Sequence, residues 1–376
     1  MPGRRAGNVE AGHGRGGSGP WTGRVLFALV ALAFLLLAPA VLSDFRLNLL
    51  TKYLCYAIVA VGIGLAWGQG GMLTLGQGVF FGLGGYAMGM YLKLQAAGPG
   101  KVPDFMSWSG VEHLPLLWRP FRSAWVALPA AILVPMAVAG ALGALVFRRR
   151  VRGAYFAILT QALAAAFVIL LVGQQGYTGG TNGLTNVTQL FGFALADPAN
   201  QRMLYLVTAA LLGGVFLLAR QLMASRYGRL LVAVRDGEDR VRFLGYNPAL
   251  IKVVAFAASA GMAGLAGALF VPVVGIISPA LLGVVPSIEM AIWVALGGRA
   301  SLVGPVAGAL AVNFAKTALS ERFPSGWLYL EGLLFVTVVA FAPMGLAGIG
   351  ALVRTALARH GSSPSPQPLG EPEAAA

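Results

Sequence analysis

SRYGRLLVAVRDGEDRVRFLGYNP, residues 225–248, lies between long apolar runs. It is too charged to cross a bilayer and too well patterned to be a slack loop. Leu230, Val234, Val241 and Leu244 recur at helical spacing and predict an apolar seam. Asp236 stands four residues before Arg240, and Glu238 four before Arg242. That acid-first order supports a helix by about 0.2–0.5 kcal/mol per pair. Gly237 predicts a bend into two short helices and Gly245 a stop. Asn247 is placed to cap the following helix, with Pro248 in its first turn. Two readings fit such a segment: a surface helix lying on anionic lipid, or a coupling segment docked on a cytoplasmic protein that drives the membrane part. Lipid binding has no need of Asp236, Glu238 and Asp239, so the acids favour a protein partner. Arg226, Gly228, Arg229, Arg235, Asp236, Glu238, Arg240 and Arg242 are the candidate contacts.

Around this segment the composition is that of a membrane protein. Of 376 residues, 57% are hydrophobic and 11% charged, too few charges to cover a soluble domain. Apolar runs of the ~18 residues that mark a spanning helix recur along the chain. Spans are expected at 25–42, 47–66, 75–94, 124–147, 154–172, 203–222, 250–272, 286–297, 300–318 and 327–345. The span at 286–297 is short and, with 300–318, reads equally as a broken helix pair, so the expected fold is an all-α polytopic bundle of eight to ten spans. The net charge of +14 follows topology rather than nucleic acid. With the N-terminus inside, cytoplasmic segments hold twice as many of the 27 Lys and Arg as the outside does. Both termini are then cytoplasmic.

Three regions follow: a disordered tail at 1–23, a transmembrane domain at 24–348 that includes segment 225–248, and a Pro/Ser/Ala-rich tail at 349–376. Ala38-Pro39-Ala40 looks like a signal-peptidase site, but its apolar run is long for a leader and a retained span is expected. Between spans, 95–123 carries Pro99, Pro103, Pro115, Pro120, Trp108 and Trp118 and predicts a partly ordered interfacial cap. The Gly/Thr/Asn cluster opening 173–202 predicts turns at the mouth of a path or a plain connector.

GIGLAWGQGGMLTLGQGVFFGLGGYAMGM, residues 62–90, is dense in glycine, which lets helices approach closely or exposes carbonyls at a break. Uncharged Gln69, Thr74 and Gln77 sit near its helix ends, where a neutral solute needs hydrogen-bonding groups. Glu289 is the ionisable residue most deeply set in an apolar run, and reads as a path or gate residue or as one near the outer interface. Gln161, Asn182 and Asn313 complete the translocation candidates. Gly70–Leu75 faintly echoes Gly297–Leu302, each ahead of a Gly-rich helix, the arrangement of interrupted helices in transporter repeats.

Several chemistries find no foothold. The one cysteine, Cys55, lies in an apolar run, and His13, His113 and His360 are scattered, which argues against a disulfide framework and a Cys/His metal site. No phosphate-cradling GxxxxGK[ST] and no HExxH occurs. A chain of paired intramembrane acids and bases, as an ion-coupled carrier would need, is also missing. No catalytic residue is expected.

Taken together, Gly71–Leu92 (GMLTLGQGVFFGLGGYAMGMYL), Arg150–Leu163 (RVRGAYFAILTQAL), Gly179–Thr185 (GGTNGLT), Arg226–Pro248 and Ser287–Gly304 (SIEMAIWVALGGRASLVG) resemble the branched-chain amino acid type of bacterial ABC permease. VPDF (102–105), TQAL (160–163) and RFLGYNP (242–248) look most like its urea-transporting branch. Gln77 departs from the His, and Thr181 from the Asn, common in relatives. The resemblance implies a permease in the cytoplasmic membrane that holds no cofactor itself. It also implies a second permease subunit, two cytoplasmic ATPases that bind ATP and Mg, and an extracytoplasmic solute-binding protein.

Overall fold

The computed structural model describes residues 37–321, apart from 152 and 300, and scattered positions from 323 to 336. The two expected tails, most of the expected span 25–42 and nearly all of 327–345 lie outside the described residues. Residues 37–41 are helical and belong to a unit separate from the body that starts at Asp44.

Among the described residues of that body, nine longer helices follow one another. They are α1 (Asp44–Ile63), α2 (Gln77–Ala97), α3 (Ala124–Arg148), α4 (Ala154–Gly173), α5 (Pro198–Ala224), α6 (Arg226–Phe243), α7 (Pro248–Val274), α8 (Val284–Gly297) and α9 (Val303–Ser320). Among the described residues six segments are long and apolar enough to cross a membrane: α1 with the π-helical turn Gly64–Gln69 that extends it, α3, α4, α5, α7, and Pro279–Gly297, which contains α8. α2 and α9 occupy the expected spans 75–94 and 300–318 but are diluted by Gly, Tyr, Asn and Lys.

Burial ranks the helices. The most apolar stretch of α1 is 78% buried and that of α7 61%, against 33% for α3 and 28% for α4 and α5. α2 buries 17 of its 21 residues. α1, α2 and α7 therefore form the centre, with the leucine- and valine-rich α3, α4 and α5 around them. Lipid is as apolar as leucine, so only close packing, and hence small residues, separates an inner helix from an outer one. A Cβ on Gly84 would lie 2.0 Å from the Gly264 carbonyl oxygen, and one on Gly267 only 1.9 Å from that of Phe81. A Cβ on Gly264 would also come within 2.2 Å of the Ala131 carbonyl, so α7 is pressed between α2 and α3.

Segment 225–248 folds largely as its local signals dictate. The Ser225 side chain accepts from the Gly228 amide at 3.4 Å, and Asn247 accepts from Ala249 and Leu250 at 3.1 and 3.4 Å. Gly245 stops the helix at φ +85°, and Gly237 breaks α6 with extended backbone. The expected seam needs correction. Leu231, Val234, Glu238 and Val241 are the buried row, Leu230 is half-buried, and Leu244 is 75% exposed. The break at Gly237 rotates the second half of α6, and Leu244 falls past its end. The same break separates Asp236 from its expected partner: its carboxylate takes the Arg235 guanidinium instead, while Arg240 reaches only the Asp236 backbone carbonyl. Glu238 and Arg242 pair as expected, at 3.1 Å.

The cap at 95–123 is ordered by short helical turns at Asp104–Trp108 and Arg119–Arg122. Buried Trp118 donates to the Tyr177 carbonyl at 2.9 Å, while Trp108 stays exposed. Residues 173–202 hold turns at Gln175–Thr178 and Gly180–Asn182, then a two-residue-per-strand hairpin, β1 (Gln189–Leu190) against β2 (Phe193–Ala194).

If glycine contact sets the α2–α7 distance, Gly267→Ala should lower unfolding stability by about 1–3 kcal/mol through overpacking. Gly140→Ala, in open space on α3, should be neutral or stabilising by about 0.5–1 kcal/mol. Thermal unfolding of the detergent-solubilised chain separates the two; equal melting temperatures would refute the contact.

Candidate translocation and coupling site

The path from α1 to α2 is a helix break. After the π-helical turn the chain runs irregularly from Gly70 to Gly76 before α2 begins at Gln77. Backbone groups freed at such a break need partners, because lipid supplies none. Two other helices provide some of them. Thr160 on α4 accepts from the Leu75 amide at 3.0 Å, and Ser287 on α8 accepts from the Gly78 amide at 3.0 Å. A third helix, α7, holds a side chain instead: Ser259 accepts from Gln77 Nε2 through its hydroxyl at 3.0 Å and its carbonyl at 3.1 Å. Gly76 and Gly78 make this convergence sterically feasible: their Cβ atoms would fall 2.0 Å from the Thr160 carbonyl and 2.6 Å from Ser287 Oγ.

Thr74, Gln77, Thr160, Ser259 and Ser287 are all fully buried, and none is charged. Thr74 Oγ1 and Gln77 Oε1 have no hydrogen-bond partner. A buried polar atom left so costs about 1–3 kcal/mol, and this cluster can offer both acceptors and hydroxyl donors to a small neutral molecule.

The second break, Gly297 to Leu302 between α8 and α9, packs against the first. A Cβ on Gly68 would lie 2.1 Å from the Arg299 carbonyl, and the Arg299 guanidinium sits 5.4 Å from the centre of the Trp67 ring. The faint sequence echo thus marks two helix interruptions in contact.

α6 lies beneath the first break and borders a cavity of about 430 Å³ with Gly70–Met72, Phe147, Phe156 and Lys252. The coupling candidates divide by direction. Arg226, Arg229, Arg235, Asp236 and Arg240 are exposed. Gly228 is buried where a Cβ would strike the Met223 carbonyl at 2.3 Å. Arg235 turns inward to the Gly68 carbonyl at 2.9 Å, and its donation to Asp236 holds that carboxyl below the ordinary carboxylate range. Glu238 is buried between Arg242 and Lys252 and ties α6 to α7.

The remaining candidates sit apart from the Gln77 cluster. Glu289 on α8 pairs with Lys316 on α9 at 2.7 and 2.8 Å, so its charge is compensated within the bundle. Asn313 is buried and donates to the carbonyl of Ala309 on its own helix at 2.8 Å. Gln69 and Gln161 are half-buried, and Asn182 is exposed in the 173–202 connection. Ser259 and Ser287, central to the cluster, carry no local sequence signal: each is one small residue in an apolar run.

Residues 45–343 match the family described as branched-chain amino acid transport system / permease component. The chain is 29% identical over 341 residues to the high-affinity branched-chain amino acid transport system permease protein LivM of Escherichia coli, covering 85% of this chain and 74% of that one. It is 27% identical to LivM of Salmonella typhimurium, with the same coverage. Similarity to the ribose import permease protein RbsC of Escherichia coli is 27% over 209 residues, 53% of this chain and 62% of that one. No solved structure matches the chain.

The buried Glu238 carboxylate gives the site a stability test. Lys252→Met removes one of its cationic partners and should cost about 1.5–3 kcal/mol. Adding Glu238→Gln to Lys252→Met should recover most of that loss in thermal unfolding. A double variant no more stable than Lys252→Met would contradict the pairing.

Proposed function

This chain belongs to the branched-chain amino acid transport permease family, and from that premise we propose that it is the membrane subunit of an ATP-driven importer for urea or a related small amide. It works in the bacterial cytoplasmic membrane beside a second permease subunit. Two cytoplasmic ATPases bind ATP and Mg and dock on the exposed face of α6, and an extracytoplasmic binding protein delivers the solute. The observation that carries the substrate is the neutral cluster at the start of α2, with unpartnered oxygens on Thr74 and Gln77. Urea presents N–H donors and a carbonyl acceptor without net charge, which hydroxyls and an amide complement. Closure of the ATPases displaces α6, the breaks rearrange, and the buried cluster opens in turn to each side.

A second reading, import of branched-chain amino acids, is favoured by the similarity to the LivM proteins. A zwitterion is matched better by opposite charges, and Glu289 with Lys316 supplies them.

Uptake into proteoliposomes holding the full transporter decides between the two. Labelled urea should accumulate only with ATP, and labelled leucine should not; the reverse result would install the second reading. Gln77→Leu should lower urea flux roughly 2–10-fold, the scale of one hydrogen bond, while Gln77→His keeps it, since imidazole also donates and accepts. Wild-type urea flux in Gln77→Leu would remove that residue from the path. For orientation, Asn182→Cys should react with an impermeant maleimide from outside, and Asp239→Cys only after permeabilisation; reversed labelling would place α6 on the wrong side.

A further inference from the structure

Arg235 does not present its charge as its neighbours do. Its side chain is about one third exposed, and its guanidinium is fixed at two points. One nitrogen donates to the carboxylate of exposed Asp236 at 2.8 Å, and another to the Gly68 carbonyl at 2.9 Å. Gly68 stands in the last turn of the π-helical segment, where carbonyls run out of helical partners. The stem of Arg235 is equally committed. A Cβ on Gly71 would lie 2.7 Å from Arg235 Cγ, and Gly71 has φ +69°. The side chain therefore lies over the turn that leaves α1.

Gly68 is held from the other side too, against the Arg299 backbone of the second break. A second tie runs in parallel. Glu238, three residues beyond Arg235 and past the break at Gly237, is bound to Lys252 on α7. Ser259, which holds Gln77, follows Lys252 by seven residues, about two helical turns. α6 thus reaches the start of α2 by two routes, one through Gly68 and one through α7.

Building on the coupling role of α6 proposed above, we propose that Arg235 is a positioning residue that fastens α6 to the α1–α2 break and passes its movement to the Gln77 cluster, instead of contacting the ATPase. Exposure does not set Arg235 apart from Arg226, Arg229 and Arg240; its bond to Gly68 does, and those three are the cations assigned to docking.

The test compares Arg235→Gln, Arg235→Lys and the docking variant Arg229→Glu in the full transporter, with urea and leucine as probes. Arg235→Gln should retain the ATPases on purification and hydrolyse ATP, yet move roughly tenfold less solute per ATP, the scale of one charge-assisted hydrogen bond. Arg235→Lys, which keeps a donor, should recover part of that ratio. In the isolated full chain, Arg235→Gln should speed hydrogen exchange across residues 64–76. A wild-type solute-to-ATP ratio, loss of the ATPases, or unchanged exchange at 64–76 would each overturn the proposal. Failure of the docking reading is seen separately, as Arg229→Glu retaining its ATPases.

Discussion

Contact between the backbones of α2 and α7, permitted by Gly84, Gly264 and Gly267, is the constraint on which the rest of the bundle depends. Between apolar helices in lipid no solvent term drives association, so close approach must supply it. The approach also sets the site. With α7 drawn onto α2, Ser259 comes within reach of Gln77, and Ser287 and Thr160 reach the amides around it. A methyl group at the crossing would push Ser259 away from Gln77. The glycines that look like mere packing are thereby part of the polar cluster.

Charge is partitioned with equal economy. Inside the bundle the acid on α8 is matched by a lysine on α9, and the cluster at the α2 break is neutral. Arginines and acids concentrate on α6, which mixes exposed charge with inward ties, among them Arg235 to Gly68 and Glu238 to Lys252. A helix built this way turns one charged face outward and ties the other to the bundle. That division suits a transmission element better than a lipid-surface helix, whose inward face would be apolar throughout.

Features written in neighbouring residues were legible in the sequence. Gly237, Gly245, Asn247 and Pro248 each set a break, stop or cap through atoms at most a few residues away, and each appears where the sequence places it. Thr74 and Gln77 were visible as polar residues at helix ends. Ser259, which binds Gln77, and Ser287, which binds the Gly78 amide, were not, because these hydrogen bonds span 182 and 209 residues and a single serine in an apolar run signals nothing alone. The break at Gly237 explains the misassigned seam: a periodicity counted through it cannot hold on both sides, so Leu244 emerged exposed and Asp236 turned to Arg235. The inward turn of Arg235 was hidden likewise, since its acceptor is a backbone carbonyl 167 residues away.

The central claim is that the break before α2 is the gated part of the solute path. It is tested most directly by the reactivity of Thr74→Cys toward a small thiol reagent in the assembled transporter, measured at rest and during ATP turnover. Thr74 is fully buried here, so the account predicts slow labelling at rest and a marked acceleration when ATP and solute are supplied together. Labelling equally slow under both conditions would mean that the path runs elsewhere.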